Sequence, residues 1–201
     1  MKIGIIGSGN VGGTLARGLV LKGHEVMLGT RDPVKPSVRE FVATSGGRGS
    51  AGTYAQAARF ADIVITAYPG ALVEETVAHI GPENLDGKVV LDAANGIRRE
   101  NGQVTAAYGE DDSAAEVLQR AAPGARVVKA YNTMWSKRMP DPTGGEGPMT
   151  MRIAGDDPEA KEVATAFLES TGWRVRDLGG LERSRKLEHE VLVWAAGRQA
   201  P

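Results

Sequence analysis

The hexapeptide Gly7-Ser8-Gly9-Asn10-Val11-Gly12 has the spacing G-x-G-x-x-G, and its setting constrains the chain more than any other feature. Before it runs Lys2–Ile6, a short apolar segment of the length of a buried strand. After it, Val11, Leu15, Leu19 and Val20 recur on one helical stripe. A buried strand that turns into an amphipathic helix through three spaced glycines is the arrangement that holds the pyrophosphate of a dinucleotide. Gly7 permits the tight turn, Gly9 lets the main chain approach the phosphates, and Gly12 lets helix and strand pack closely. The start of the helix supplies unbonded N–H groups and a partial positive charge.

The rest of the chain repeats the alternation. Strands are expected at residues 25–28, 62–67, 88–92 and 126–130, with a weak or very short third strand ahead of a helix at 53–60. Helices are expected at 37–43, 71–80 and 113–121, and 45–50 reads as a flexible loop. The runs Ile3 to Ile6, Ile63 to Ile65 and Val89 to Leu91 are continuously apolar, as strands covered on both faces are. Alternating strands and helices predict an α/β, doubly wound, mostly parallel sheet of the Rossmann type. After Tyr131 the order changes: a loop at 140–148, a strand at 150–154, a helix over Pro158–Ser170, a strand at 173–177 and a closing helix at 181–196. Residues 1–201 therefore read as a single dinucleotide-binding domain, with a core over 1–135 and a small C-terminal extension over 149–201.

The second strand ends Leu28-Gly29-Thr30-Arg31, where an NAD site usually presents an acidic residue to the ribose 2′-hydroxyl. A guanidinium beside a hydroxyl suits a 2′-phosphate, so Thr30 and Arg31 point to NADP(H). Asp32 lies one residue late and either repels that phosphate or caps the next segment. Ligands of such sheets lie beyond the carboxyl ends of the strands. That places Ala67-Tyr68-Pro69, Ala94-Asn95 and Asn132-Thr133-Met134 on the nicotinamide side. Asparagines at such positions also favour turns for their own sake.

Composition narrows the classes. The formal net charge is −1, which argues against a nucleic-acid partner. There is no cysteine, which excludes disulfides and thiolate chemistry and suits the cytoplasm. The 27 glycines are roughly double average usage and fall largely where strands turn into helices. No apolar run approaches the roughly 20 residues of a membrane span, and the run ending at Gly7 is too short for a signal core. His24, His79 and His189 are scattered, no metal-ligand spacing occurs, and no acid–base pair for carbonyl reduction stands out. The catalytic residues are thus unassigned, and a hydride acceptor that needs little proton help fits.

Gly7 to Gly12, Gly29-Thr30-Arg31, Asp62-Ile63-Val64 through Pro69, Lys129-Ala130-Tyr131-Asn132-Thr133, and Gly172-Trp173 followed by Asp177-Leu178-Gly179-Gly180-Leu181-Glu182 occur in that order. Taken together they resemble the NADPH-dependent F-420 reductase family. The resemblance implies hydride transfer between NADPH and a deazaflavin, coenzyme F-420, or a flavin-like acceptor. It implies Ser8, Asn10, Val11, Thr30, Arg31, Pro69 and Asn95 at NADP. It also implies Asn132, Thr133, Met134 and the turn Gly179, Gly180, Leu181 near the second ligand, in a cleft closed by the C-terminal part. Trp135 is bulky enough to fill part of that cleft, and Lys137 and Arg138 could meet an anionic tail.

Two other readings stay open: an imine, ketone or ferric reductase on the same scaffold, and a non-catalytic NADP sensor. Reductases of the first kind usually append a large helical domain, whereas one helix follows the last strand here. Lys186 on that helix has Glu190 four residues on, where a catalytic lysine would want an asparagine. Apolar positions on two sides of the helix suggest a homodimer. Arg31→Ala should weaken NADPH by roughly 1.5–3 kcal/mol, the value of a hydrogen bond to a charged group, and weaken NADH less. Parallel calorimetric titrations with the two nucleotides check this, and equal losses would exclude Arg31 as the reader.

Overall fold

A computed structural model describes residues 1–143 and 147–197. The chain runs β1 (Lys2–Ile6), α1 (Asn10–Leu21), β2 (Glu25–Gly29), α2 (Pro36–Thr44), β3 (Gly49–Gly52), α3 (Tyr54–Phe60), β4 (Ile63–Thr66), α4 (Val73–Ile80) and β5 (Val89–Asp92). Then come β6 (Ile97–Glu100), β7 (Gln103–Ala106), α5 (Ala114–Ala121), β8 (Arg126–Lys129), β9 (Thr150–Ile153), α6 (Pro158–Ser170), β10 (Arg174–Asp177) and α7 (Ser184–Gly197). Six strands pair in parallel in the order β3-β2-β1-β4-β5-β8, the doubly wound order. The order reverses between β1 and β4, so the ligand crevice opens at the carboxyl ends of those two strands.

Alternate side chains of the central strands feed two cores. Ile3, Ile5, Ile63, Ile65 and Leu91 pack with Leu15, Leu19, Phe41 and Phe167 from α1, α2 and α6. Ile6, Val64, Val90 and Val127 pack with Ala57, Val77 and Leu118 from α3, α4 and α5. Local chemistry fixes the ends. Thr53 and Gln56 form a capping box that starts α3, and Ser113 accepts from the Glu116 amide to start α5. The expected weak third strand is β3, which takes over Gly49 and Ser50 from the anticipated loop. The expected helix at 71–80 opens with a 3₁₀ turn, Gly70–Leu72, before α4.

Two features differ from expectation. The first is the antiparallel hairpin β6–β7, where the sequence reading placed no strands. Its turn is Asn101-Gly102, with φ of 50° and 78°, the left-handed pair that tight hairpins need. The second concerns direction. β9 and β10 pair in parallel with each other, but Ala154 bridges Lys129 in antiparallel sense. The extension therefore runs against the main sheet. The expected loop at 140–148 falls partly on residues outside those described.

Arg126 at the start of β8 anchors the extension. Its guanidinium grips Asp157 at 2.5 and 3.0 Å and Glu159 at 3.0 Å, while Asp157 caps α6 through the Ala160 amide. The Arg126 hydrogen bonds and that amide hold the Asp157 carboxyl down at about 2. A carboxyl depressed in the folded state contributes stability above its ordinary value of 3.8, and that contribution is lost as pH falls through about 2. Asp157→Asn should lower the melting temperature at neutral pH and flatten its dependence on pH over this acid window. Calorimetric melts from neutral pH down to that window check it.

Candidate functional site

The glycine turn is crowded behind and open in front. Gly7 sits at φ 119°, and a Cβ there would run into the Ala67 carbonyl. A Cβ on Gly12 would run into the Gly7 carbonyl, so α1 can lie this close to β1 only because position 12 has no side chain. Gly9 is the opposite case: nothing stands within 4 Å of where its Cβ would be, and it caps α1 with no side-chain hydrogen bond. The start of α1 is left facing open space, the arrangement a phosphate requires.

A groove of about 290 Å³ runs from this turn along Thr30, Arg31, Asp32, Lys35 and Tyr54 to Ala67, Tyr68 and Pro69. The Thr30 and Ser8 hydroxyls are 2.9 Å apart. Arg31 is exposed, and its ion pair to Glu75 is long at 4.0 Å. Asp32 accepts from the Val34 amide at 3.1 Å and so caps its own loop, while still bordering the groove. Sequence reasoning missed two further cations. Lys35 borders both this groove and a neighbouring hollow of about 170 Å³, which Arg17 of α1 also borders beside Ser8 and Gly9. The signal for Lys35 was its place just ahead of Pro36, at the start of α2 and close to Arg31.

Across α1 lies a larger cleft of about 560 Å³, bordered by Val11, Asn132, Thr133, Met134, Trp135 and α7 residues Glu190, Val191 and Trp194. Asn10 ties the glycine turn to the cleft by donating to the Ser136 hydroxyl at 2.9 Å. Tyr131 takes φ 64°, rare for a residue with a side chain, and its ring is buried edge-on to Trp173 at 6.2 Å. That kink aims Asn132 into the crevice. Asn132 Nδ2 donates to Asn95 Oδ1 at 3.0 Å, and Asn132 Oδ1 is buried with no protein partner. An acceptor so placed suits an amide donor such as a carboxamide. Ala94 supplies no polar group, because Asp92 takes its amide and Lys129 its carbonyl.

The turn Gly179, Gly180, Leu181 corrects an expectation. The Gly179 carbonyl accepts from Gly155, and the Leu181 amide donates to Asp156. Both partners lie toward the amino end of β8, where Arg126 holds Asp157. None of the turn's three residues borders the cleft. Trp135 borders the cleft and is 63% exposed. Lys186 and His189 border a separate groove beside Tyr108, while Glu190 is held by Arg152 at 2.6 and 3.1 Å. His24 leans on Phe167, and His79 bonds the Glu75 carbonyl. Among the described residues, no three metal-ligating side chains come together.

Under the crevice lies a buried ionic group. Lys129 is 0% exposed and donates to Asp92 Oδ2 at 2.8 Å, Glu188 Oε1 at 2.5 Å and the Ala94 carbonyl at 2.5 Å. Burial pulls the ammonium's pKa down, but attraction to Asp92 and Glu188 outweighs it and leaves the value raised.

Fold and site together are those of a dinucleotide-binding protein, with a glycine turn at the switch in strand order, a groove bordered by Arg31 and Lys35, and a second cleft beside it. The family described as NADP oxidoreductase, coenzyme F420-dependent, matches residues 2–96. The chain is 33% identical over 201 residues to the F420-dependent NADP reductase of Methanothermobacter marburgensis, covering 94% of this chain and 88% of that one. A structure from Arthrobacter sp. FB24, described as an F420-dependent NADP-reductase, superposes with a TM-score of 0.88 at 34% identity over 96% of this chain and 91% of that one. The chain belongs to the F420-dependent NADP reductase family. A reductive aminase from Aspergillus terreus shares the fold at 19% identity and a TM-score of 0.72, over 98% of this chain and 62% of that one.

Lys35→Ala should weaken NADPH about tenfold to a hundredfold, the loss of one charge-assisted hydrogen bond, and leave NADH within about twofold. Fluorescence titration of both reduced nucleotides checks this.

Proposed function

We propose that this protein moves hydride between NADPH and the deazaflavin coenzyme F420. NADP lies along the groove from Lys35 to Gly9, and the deazaflavin lies in the cleft between Asn132 and α7. The observation that carries the reading is the placement of that cleft. It adjoins the glycine turn through Val11, is walled by Met134, Val191 and Trp194, and has the unpartnered Asn132 Oδ1 on its border. Gly7, Ser8, Gly9, Asn10, Val11 and Gly12 serve the pyrophosphate. Thr30, Arg31, Lys35 and Arg17 serve the 2′-phosphate. Ala67, Tyr68, Pro69 and Asn95 serve the nicotinamide side. Thr133 and Met134 face the acceptor.

When both coenzymes are bound, the nicotinamide supplies a hydride with its electron pair and the deazaflavin ring accepts it, the balancing proton coming from water. The chain's own share is positioning. The glycine turn and cations fix the adenosine end, Asn132 accepts from the carboxamide, and the apolar wall excludes water. No side chain has to donate or take a proton, which agrees with a cleft that no histidine borders among the described residues. The setting is read as cytoplasmic. The assembly is read as a homodimer in which a second copy covers the outer side of α7, a reading supported by Val193 at 57% exposure.

Anaerobic mixing of protein, NADPH and oxidised F420 should consume deazaflavin and NADPH absorbance in equal amounts. Turnover with imines, ketones or ferric chelates and none with F420 would replace this assignment.

A further inference from the structure

Glu188 sits on α7, one helical turn before the cleft residue Val191. It is 7% exposed, and its carboxylate reaches the loop after β5, the start of α5 and the end of β8. Oε2 accepts from the Gly96 amide at 2.8 Å and the Ala114 amide at 3.1 Å. Oε1 accepts from Lys129 at 2.5 Å and the Ala115 amide at 3.4 Å. Lys129 in turn holds the Ala94 carbonyl, and Asp92 holds the Ala94 amide at 3.2 Å and the Thr66 hydroxyl at 2.5 Å. Thr66, Asp92 and Lys129 are the last residues of β4, β5 and β8. The three loops of the nicotinamide side leave from those residues.

We infer that Glu188 is a positioning residue for hydride transfer: through Lys129 and Asp92 it sets the spacing between the acceptor wall on α7 and the loops beneath the nicotinamide. The inference rests on the proposed hydride transfer between two rings in this cleft. The carboxylate reaches neither ring; it acts through where it holds α7. Three acceptors use all three donors of the Lys129 ammonium, and the carboxylate takes amides from Gly96, Ala114 and Ala115. The group therefore has a single bonded arrangement. A link of this kind fixes distance more narrowly than the apolar contacts of Val191 and Trp194 could. Hydride transfer is sensitive to such spacing, since a displacement of about 1 Å can cost on the order of a hundredfold in rate.

Two substitutions separate positioning from a plain structural role. Glu188→Gln leaves the oppositely charged Lys129–Asp92 pair intact. Glu188→Asp keeps the charge but shortens the reach, and it carries the test should the first variant not fold. With C4-deuterated NADPH, both variants should lose about tenfold to a hundredfold in kcat. The deuterium isotope effect on kcat should rise, and the KM for F420 and the affinity for NADPH should stay within about threefold. The fluorescence yield of bound NADPH should fall as well, because α7 no longer keeps water from the nicotinamide. Unchanged kcat and isotope effect in folded variants would overturn the inference, as would losses of kcat matched by the unfolded fraction. If the parent protein transfers no hydride to F420, the functional assignment fails by itself. The yield of bound NADPH then decides the role of Glu188: a fall in both variants supports it, and an unchanged yield sinks it.

Discussion

An ammonium with no solvent contact is the constraint around which the carboxyl edge of this sheet is organised. Taking such a charge out of water costs several kcal/mol even after relaxation, and only close, fully bonded partners offset it. Lys129 finds Asp92 on the neighbouring strand, Glu188 on α7 and the Ala94 carbonyl between them. Two carboxylates against one ammonium leave an excess negative charge. The Ala114 and Ala115 amides at the start of α5, with the Gly96 amide, meet it. A network this completely bonded adds less to stability than an apolar core of equal volume would. What it adds is a fixed relation among β5, β8, α5 and α7.

That relation matters because the chemistry asks for little else. In a hydride transfer between two bound rings, no residue has to be acid, base or nucleophile. Two tyrosines agree: burial first, with Asp92 nearby, raises the Tyr68 phenol, and partial burial with Glu74, Glu188 and Asp112 pushes Tyr108 up to about 12. Neither is tuned toward neutral pH. The features that are tuned are geometric. They are the absent side chains at Gly7 and Gly12, the kinked main chain at Tyr131, and the interlocked Asn95 and Asn132 amides.

Much of this was legible in the residues, for definite reasons. The main sheet was readable because each central strand is continuously apolar and each turn carries glycine, proline or a capping residue. The glycine turn was readable because three independent steric needs converge on one spacing. The hairpin was not, although Asn101-Gly102 signals one, because Arg98, Arg99 and Glu100 break the apolar alternation that would have drawn attention to it. Asp92 and Lys129 end two strands as opposite charges, but the strand patterns alone did not single them out as a pair. Glu188 was not legible either, since its partner lies 59 residues away and nothing local marks it. Lys35 needed the fold of the loop after β2 to bring it to Ser8 and Gly9, and Arg17 needed the course of α1 past the glycine turn.

The direction of β9 was the least legible feature and has the largest consequence. An apolar strand pattern reads the same whether it joins a sheet parallel or antiparallel; only the long-range bridge from Ala154 to Lys129 decides. Had β9 and β10 continued the parallel order, the helix after β10 would start at the ligand edge and lead away from it, as α1 does after β1. Because they run the other way, α7 starts beside Asp156 at the far edge and climbs toward the ligands. Its first turns meet Lys129 and its later turns wall the cleft. One reversal after β8 thus lets a short extension supply one wall of the cleft beside the glycine turn.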